Sequence, residues 1–197
     1  MSAAPAPLRV LGLRARRRAH AAGDAAARPA VSFRLATRGD VDAIHALIEA
    51  HLSEGHLLPR SRADVAHHVG RFVVATQAGR LVACADLAPI GPTVVELRSL
   101  VVDASARSAG VATRLIDMLA RRAAADGRHT MCAFTHAPQY FVEKGFSVVP
   151  HSQVPEKVEA DCRRCPQFGH CGQSAVTLPL PGNDRSAATQ QVLPVHG

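Results

Sequence analysis

Tryptophan is missing from the 197-residue chain, tyrosine occurs once, and aromatic residues make up 4% of the total. That scarcity removes the stacking platforms on which single-stranded nucleic-acid binders depend. No apolar run is long enough to cross a bilayer as a helix, so the chain is expected to be soluble and cytoplasmic. Five cysteines are too few for a disulfide scaffold in a chain of this length. Acidic residues are also in the minority, at 16 against 23 lysines and arginines.

The resulting net charge of +7 is unevenly placed. Residues 1–30 hold six arginines (Arg9, Arg14, Arg16, Arg17, Arg18 and Arg28) against Asp24 alone. Five of the seven net charges therefore belong to this Ala/Arg/Pro-rich leader, and residues 31–197 are nearly balanced. A balanced domain has no continuous phosphate-tracking surface, which argues against nucleic acid as a partner. The leader lacks apolar periodicity and is expected to be disordered. A transit segment and a start codon set too far upstream are the alternatives. Residues 181–197 are read as a flexible tail.

With 47% hydrophobic and 20% charged residues, the rest is ordinary for one globular domain, placed at 31–180. Val31–Leu35 reads as a strand. Thr37 with Asp40 resembles a capping box before a helix carrying Val41, Ile44, Leu47 and Ile48. Ser61 with Asp64 opens a second helix that ends near Gly70. Phe72–Thr76 and Leu81–Leu87 form a hairpin, Ala88–Thr93 a loop, and Val94–Val102 a strand. Gly110–Asp126 is an amphipathic helix stopped by Gly127. Thr130–Phe134 is a strand, Pro138–Lys144 a short helix, and Gly145–Val149 the start of another strand. A long loop with three cysteines then precedes a last strand, Ala175–Leu180. Hairpin strands followed by a strand–helix–strand unit make an α/β fold with a mixed sheet.

Between the third central strand and its helix stands Arg107-Ser108-Ala109-Gly110-Val111-Ala112. Free N–H groups at a helix start attract phosphate oxygens, and small residues permit close approach of the backbone. Many strand–helix turns contain glycine and bind nothing, so the loop alone decides little. Its setting resembles the GNAT superfamily of acyltransferases, whose signature is Arg/Gln-x-x-Gly-x-Gly/Ala after such a strand. Phe141-Val-Glu-Lys-Gly145-Phe146 resembles the family's second landmark. The resemblance runs from Val31 to Leu180. It implies the GNAT acyltransferase fold, with a mostly antiparallel sheet, splayed central strands and flanking helices. It also implies acetyl-CoA as co-substrate, held by Leu100, Val101, Val102, Arg107, Ser108, Ala109, Gly110, Val111, Ala112 and Thr113. The amides of Leu100 and Val102 are expected to face it.

Four further blocks are similar to the short, single-domain N-acetylglutamate synthases. They are Gly55–Ser61, Glu96–Val102, Phe134–Phe141 and the stretch from Pro155 through Asp161-Cys-Arg-Arg-Cys-Pro166. That branch acetylates the α-amine of L-glutamate at the head of arginine biosynthesis. A dicarboxylate acceptor calls for guanidinium partners. Arg60 and Arg98 are the candidates, with Lys157 for the second carboxylate. For each, a structural or surface ion pair is the competing reading. Glu96 lies two residues from Arg98, on the same sheet face, and is the candidate base; mutual neutralisation is the alternative. Members of the superfamily often carry a tyrosine four residues before the glycine of Gly-Phe. Phe141 stands there instead, one place after Tyr140, which leaves Tyr140, Thr135 and His136 as candidates to protonate the leaving thiolate.

Cys162, Cys165 and Cys171, with His170, have the composition of a zinc site, or of an iron–sulfur site completed from outside; packed reduced thiols are the alternative. The small molecules acetyl-CoA and L-glutamate are the expected partners, and a homodimer is left open. Competing functions are transfer to another amine (glutamine, another amino acid, a small molecule or a protein) and a metal-bearing regulatory module without catalysis.

Overall fold

The computed structural model of the protein describes residues 29–55, 57–107 and 109–181. Ser108 and nearly all of the leader and tail considered above lie outside them. One seven-stranded sheet organises the described residues, in the order β1-β2-β3-β4-β5-β7-β6. Its strands are β1 (Val31–Leu35), β2 (Phe72–Gln77), β3 (Arg80–Pro89), β4 (Val94–Val102), β5 (Thr130–Thr135), β6 (Ser147–Val149) and β7 (Ser174–Pro179). Every neighbouring pair is antiparallel except β4 and β5.

Two helices cover one face. In front of α1 (Val41–Ala50), the Thr37 amide and hydroxyl donate to Asp40 Oδ2 at 2.7 and 2.8 Å, as the sequence pattern implied. Ahead of α2 (Arg62–His68), Ser61 Oγ accepts from the Asp64 amide at 3.1 Å. Val41, Ile44, Leu47 and Ile48 of α1 and Val65 of α2 bury against Phe72, Val74, Cys84 and Val101 of the sheet. The other face is covered by α3 (Val111–Ala125), whose Leu115, Leu119 and Ala123 recur every fourth residue and are fully buried. They pack on Val73, Ala75, Ala83, Ala85, Leu87, Val95 and Leu97. Each buried leucine stabilises this face by about 2 kcal/mol.

Where β4 meets β5, the ladder is short. Val94, Val95 and Glu96 pair with Thr130, Met131 and Cys132, and there the pairing stops. Beyond Glu96, β4 continues with β3 alone, and β5 beyond Cys132 continues with β7 alone. The sheet is thus split at its centre, the splay implied by the family resemblance. A β-bulge coincides with the split. Cys84 and Asp86 of β3, two residues apart, oppose Val101 and Arg98 of β4, three apart. Ser99 absorbs the extra residue at φ +48°. The side-chain phase is thereby reset, so Val101 joins Glu96 and Arg98 on the α1/α2 face while Leu100 packs on the α3 side.

Two expectations are corrected. The segment Ala88–Thr93 is not wholly a loop: β3 runs on to Pro89, because Ala88 and Pro89 still pair with Glu96 and Val95. The long segment before β7 contains α5 (Pro155–Ala160), begun by a proline at a position where its missing N–H costs nothing. The short helix α4 (Pro138–Val142) buries Phe141 against Phe146, with ring centroids 5.3 Å apart.

Candidate active site

The split sheet opens into a cleft of about 880 Å³. Its walls are β4 from Glu96 to Val102, β5 at Ala133–Thr135, the first turn of α3, α4, and the loop ahead of α2. Successive amides on a strand point to opposite edges. Asp103 N donates to Val82 O of β3 at 2.8 Å, so the Val102 and Leu100 amides project into the gap.

At one end lies the loop into α3. Gly110 caps the helix at φ +69°, a conformation that disfavours any other residue. Arg107, Gly110, Val111, Ala112 and Thr113 all line the cleft. Arg107 donates through Nε to Val102 O at 3.0 Å and through Nη2 to Glu54 at 2.6 Å, which ties the loop to the chain following α1. Ala109 is exposed and does not line the cleft. The N–H groups of the α3 first turn, with the helix dipole behind them, make this end suitable for an anion.

The opposite end is charged. Glu96 is 3% exposed and accepts hydrogen bonds from Arg98 Nε and from Lys157 Nζ, the latter at 2.9 Å. Asp161 accepts from the same two cations, with Lys157 at 2.8 Å. Burial depresses the Arg98 guanidinium, but the charges of Glu96 and Asp161 more than reverse this, and it sits above the usual arginine value. Burial likewise favours protonated Asp161. The hydrogen bond from Lys157 and the nearby Arg98 outweigh it and hold the carboxyl below its ordinary value. Arg60 Nη1 donates to Asp86 at 3.0 Å, and its Nε pairs with Asp64.

Every acceptor-binding and base candidate named from sequence therefore lines this one cleft: Glu96, Arg98, Arg60 and Lys157. Each also holds an ion-pair partner. The sequence-level choice between a ligand role and an ion pair is thus drawn too sharply, because the geometry supplies the pairs and the cleft together. Tyr140 and Thr135 line the cleft too. Burial, reinforced by Glu143, raises the Tyr140 phenol above its usual value and keeps it protonated. Thr135 Oγ1 accepts from the Ala137 amide at 2.9 Å, which leaves its own proton to donate. His136 is exposed and does not line the cleft.

Sequence reasoning missed Asp86 and Arg71, and it gave Asp161 no role. The signal for Asp86 was an acid breaking the apolar run Val82–Ala88. Among the described residues, no three His, Cys, Asp or Glu gather where they could hold a metal ion. Cys162 is half-buried, and Cys165, Cys171 and His170 are exposed. Burial pushes the Cys84 and Cys132 thiols up to about 12, so both are inert core residues.

Residues 41–144 match the model of the acetyltransferase (GNAT) family. A Chlorobaculum tepidum protein named as an uncharacterized N-acetyltransferase is 26% identical over 75% of this chain and 95% of its own length. The amino-acid acetyltransferase of Neisseria meningitidis is 31% identical over 68% of this chain. The present chain spans 31% of that longer relative. Among solved structures, N-acetylglutamate synthase from Neisseria gonorrhoeae, complexed with coenzyme A and N-acetyl-glutamate, superposes with a TM-score of 0.70 at 27% identity. The match covers 77% of this chain and 35% of that one. No helix among the described residues is long and apolar enough to cross a membrane.

Proposed function

The chain belongs to the GNAT acetyltransferase family, and on that premise we propose that it transfers the acetyl group of acetyl-CoA to the α-amine of L-glutamate. The observation that carries the acceptor choice is the charged end of the cleft, where Arg98 and Lys157 bond to the buried Glu96 and Arg60 lines the same cleft on Asp86. These guanidinium and ammonium groups can receive carboxylate oxygens on the donors that their ion pairs leave free, which suits an acidic acceptor. The likeness to the amino-acid acetyltransferase and to the synthase bound to N-acetyl-glutamate supports the same choice.

The chemistry follows from position. The α3 first turn and Arg107 would hold the pyrophosphate, and the Leu100 and Val102 amides would hold the pantetheine arm in the split between β4 and β5. Glu96 takes a proton from the acceptor ammonium, directly or through a water, and so frees the nitrogen lone pair. That nitrogen bonds to the acetyl carbon, and an amide of β4 stabilises the oxyanion that forms. When the carbon–sulfur bond breaks, its electron pair stays on sulfur. Tyr140, kept protonated, supplies the proton to sulfur, with Thr135 as the second candidate. The proton that the nitrogen sheds on becoming an amide passes to solvent, from which the donor is reprotonated.

The test is coenzyme A release from acetyl-CoA with a panel of amino acids and amines. Glutamate should give the highest kcat/KM. Equal use of all amines, or preference for a neutral or cationic one, would sink the acceptor assignment while leaving the family intact.

A further inference from the structure

Asp86 is a carboxylate with 0% exposure in the middle of β3. It accepts from Arg71 Nε and Nη2, both at 3.1 Å, and from Arg60 Nη1 at 3.0 Å. Arg60 also reaches Ser99 Oγ, at the bulge, at 3.3 Å. Both arginines line the cleft, and the Arg71 side chain is 26% exposed. Burying a charge costs several kcal/mol, and an apolar residue of like volume serves stability as well or better. A buried acid whose three side-chain hydrogen bonds all come from two cleft arginines is better explained by what those arginines bind.

The sheet register says which part of the acceptor that is. Asp86 faces Arg98 directly across the β3–β4 ladder. An acceptor amine meeting Glu96 carries its α-carboxylate on the adjoining carbon, within the ring of Arg98 and Lys157 around that base. The side-chain carboxylate of glutamate lies two methylenes further, about the 4.8 Å that separates one strand from the next. On that neighbouring strand sits Asp86, to which Arg60 reaches from the loop ahead of α2 and Arg71 from the turn just before β2. Arg60 Nη2 and Arg71 Nη1 have no protein partner among the described residues, so two guanidinium donors remain for one carboxylate.

Resting on the glutamate reading above, we infer that Arg71 joins Arg60 as the subsite for the acceptor's side-chain carboxylate, with Asp86 as the positioning residue that fixes both guanidinium planes. The subsite makes the site selective for an acid over its amide. Glutamine offers the same length but no charge, and would leave the two cations without a counter-anion.

Steady-state kinetics with glutamate and glutamine as paired acceptors, at saturating acetyl-CoA, test this. Arg71→Gln should cut the preference for glutamate over glutamine about tenfold or more, through KM for glutamate. The KM for acetyl-CoA serves as the fold control. Arg71→Lys should recover part of the preference, and Asp86→Asn should reduce it as Arg71→Gln does. Because Asp86→Asn strips two half-buried cations of their partner and can fail to fold, the partly exposed Arg71 carries the decision. An equal loss with both acceptors, or an unchanged preference, overturns the subsite. If the wild-type enzyme uses a different acceptor, the glutamate reading falls. The subsite then survives only if Arg71→Gln weakens binding of that acceptor's acid form selectively over its amide.

Discussion

Glu96 and Asp86 are both acids buried on the same face of the sheet, and their surroundings give them different work. Glu96 faces the cleft with Arg98 and Lys157 on its oxygens. In the proposed reaction it exchanges a proton with an acceptor held by those same cations. Asp86 shows nothing to solvent and gives its oxygens to Arg60 and Arg71. Replacing Glu96 by Gln keeps shape and hydrogen-bonding length but removes the proton acceptor. Its kcat should fall about a hundredfold or more at neutral pH, since a positioned base contributes on that order. The KM for acetyl-CoA should stay within about twofold, because Glu96 sits at the far end of the cleft from α3. Stopped-flow or coupled-assay rates against acetyl-CoA concentration read both. A variant with near-wild-type kcat would remove Glu96 as base.

Among the elements, the turn into α3 and the bulge in β4 shape the cleft most directly. Gly110 holds φ +69°, and a Cβ there would meet no protein atom within 4 Å. The cost of Gly110→Ala is therefore backbone strain of about 1 kcal/mol, plus a methyl group at the cofactor's approach. We expect the acetyl-CoA KM to rise several-fold while the glutamate KM holds. A rise in the glutamate KM alone would place this loop at the wrong end of the site. That turn was legible from sequence because its signals are local: a strand of apolar residues, small residues, then helical periodicity from Val111 to Ala123. The Ser99 bulge was not. Serine carries no signature for positive φ, and the extra residue is forced by packing on both sides of β4 rather than by any neighbour in sequence. Asp86 was illegible for a related reason, since its partners Arg60 and Arg71 lie 26 and 15 residues away. The start of α5 could have been read from Pro155-Glu156-Lys157, where proline in the first turn is a helix signal.

Taken whole, the molecule joins two halves of one sheet at three residue pairs between β4 and β5 and spends the rest of that seam on a cleft. One end of the seam offers helix N–H groups and small residues, and the other a balanced set of buried and half-buried charges. The excess positive charge of the sequence lies mainly in residues 1–30. The chain spans about a third of the amino-acid acetyltransferase of Neisseria meningitidis, so its likeness to that protein concerns that part alone. If this cleft bonds an acetyl carbon to the α-nitrogen of glutamate, incubating the protein with carbonyl-¹³C acetyl-CoA and ¹⁵N-glutamate, in the presence of equimolar unlabelled glutamine and other amines, should give a dominant product whose NMR spectrum shows a one-bond ¹³C–¹⁵N coupling. Label appearing only in acetate, or on a competing amine, would contradict that assignment.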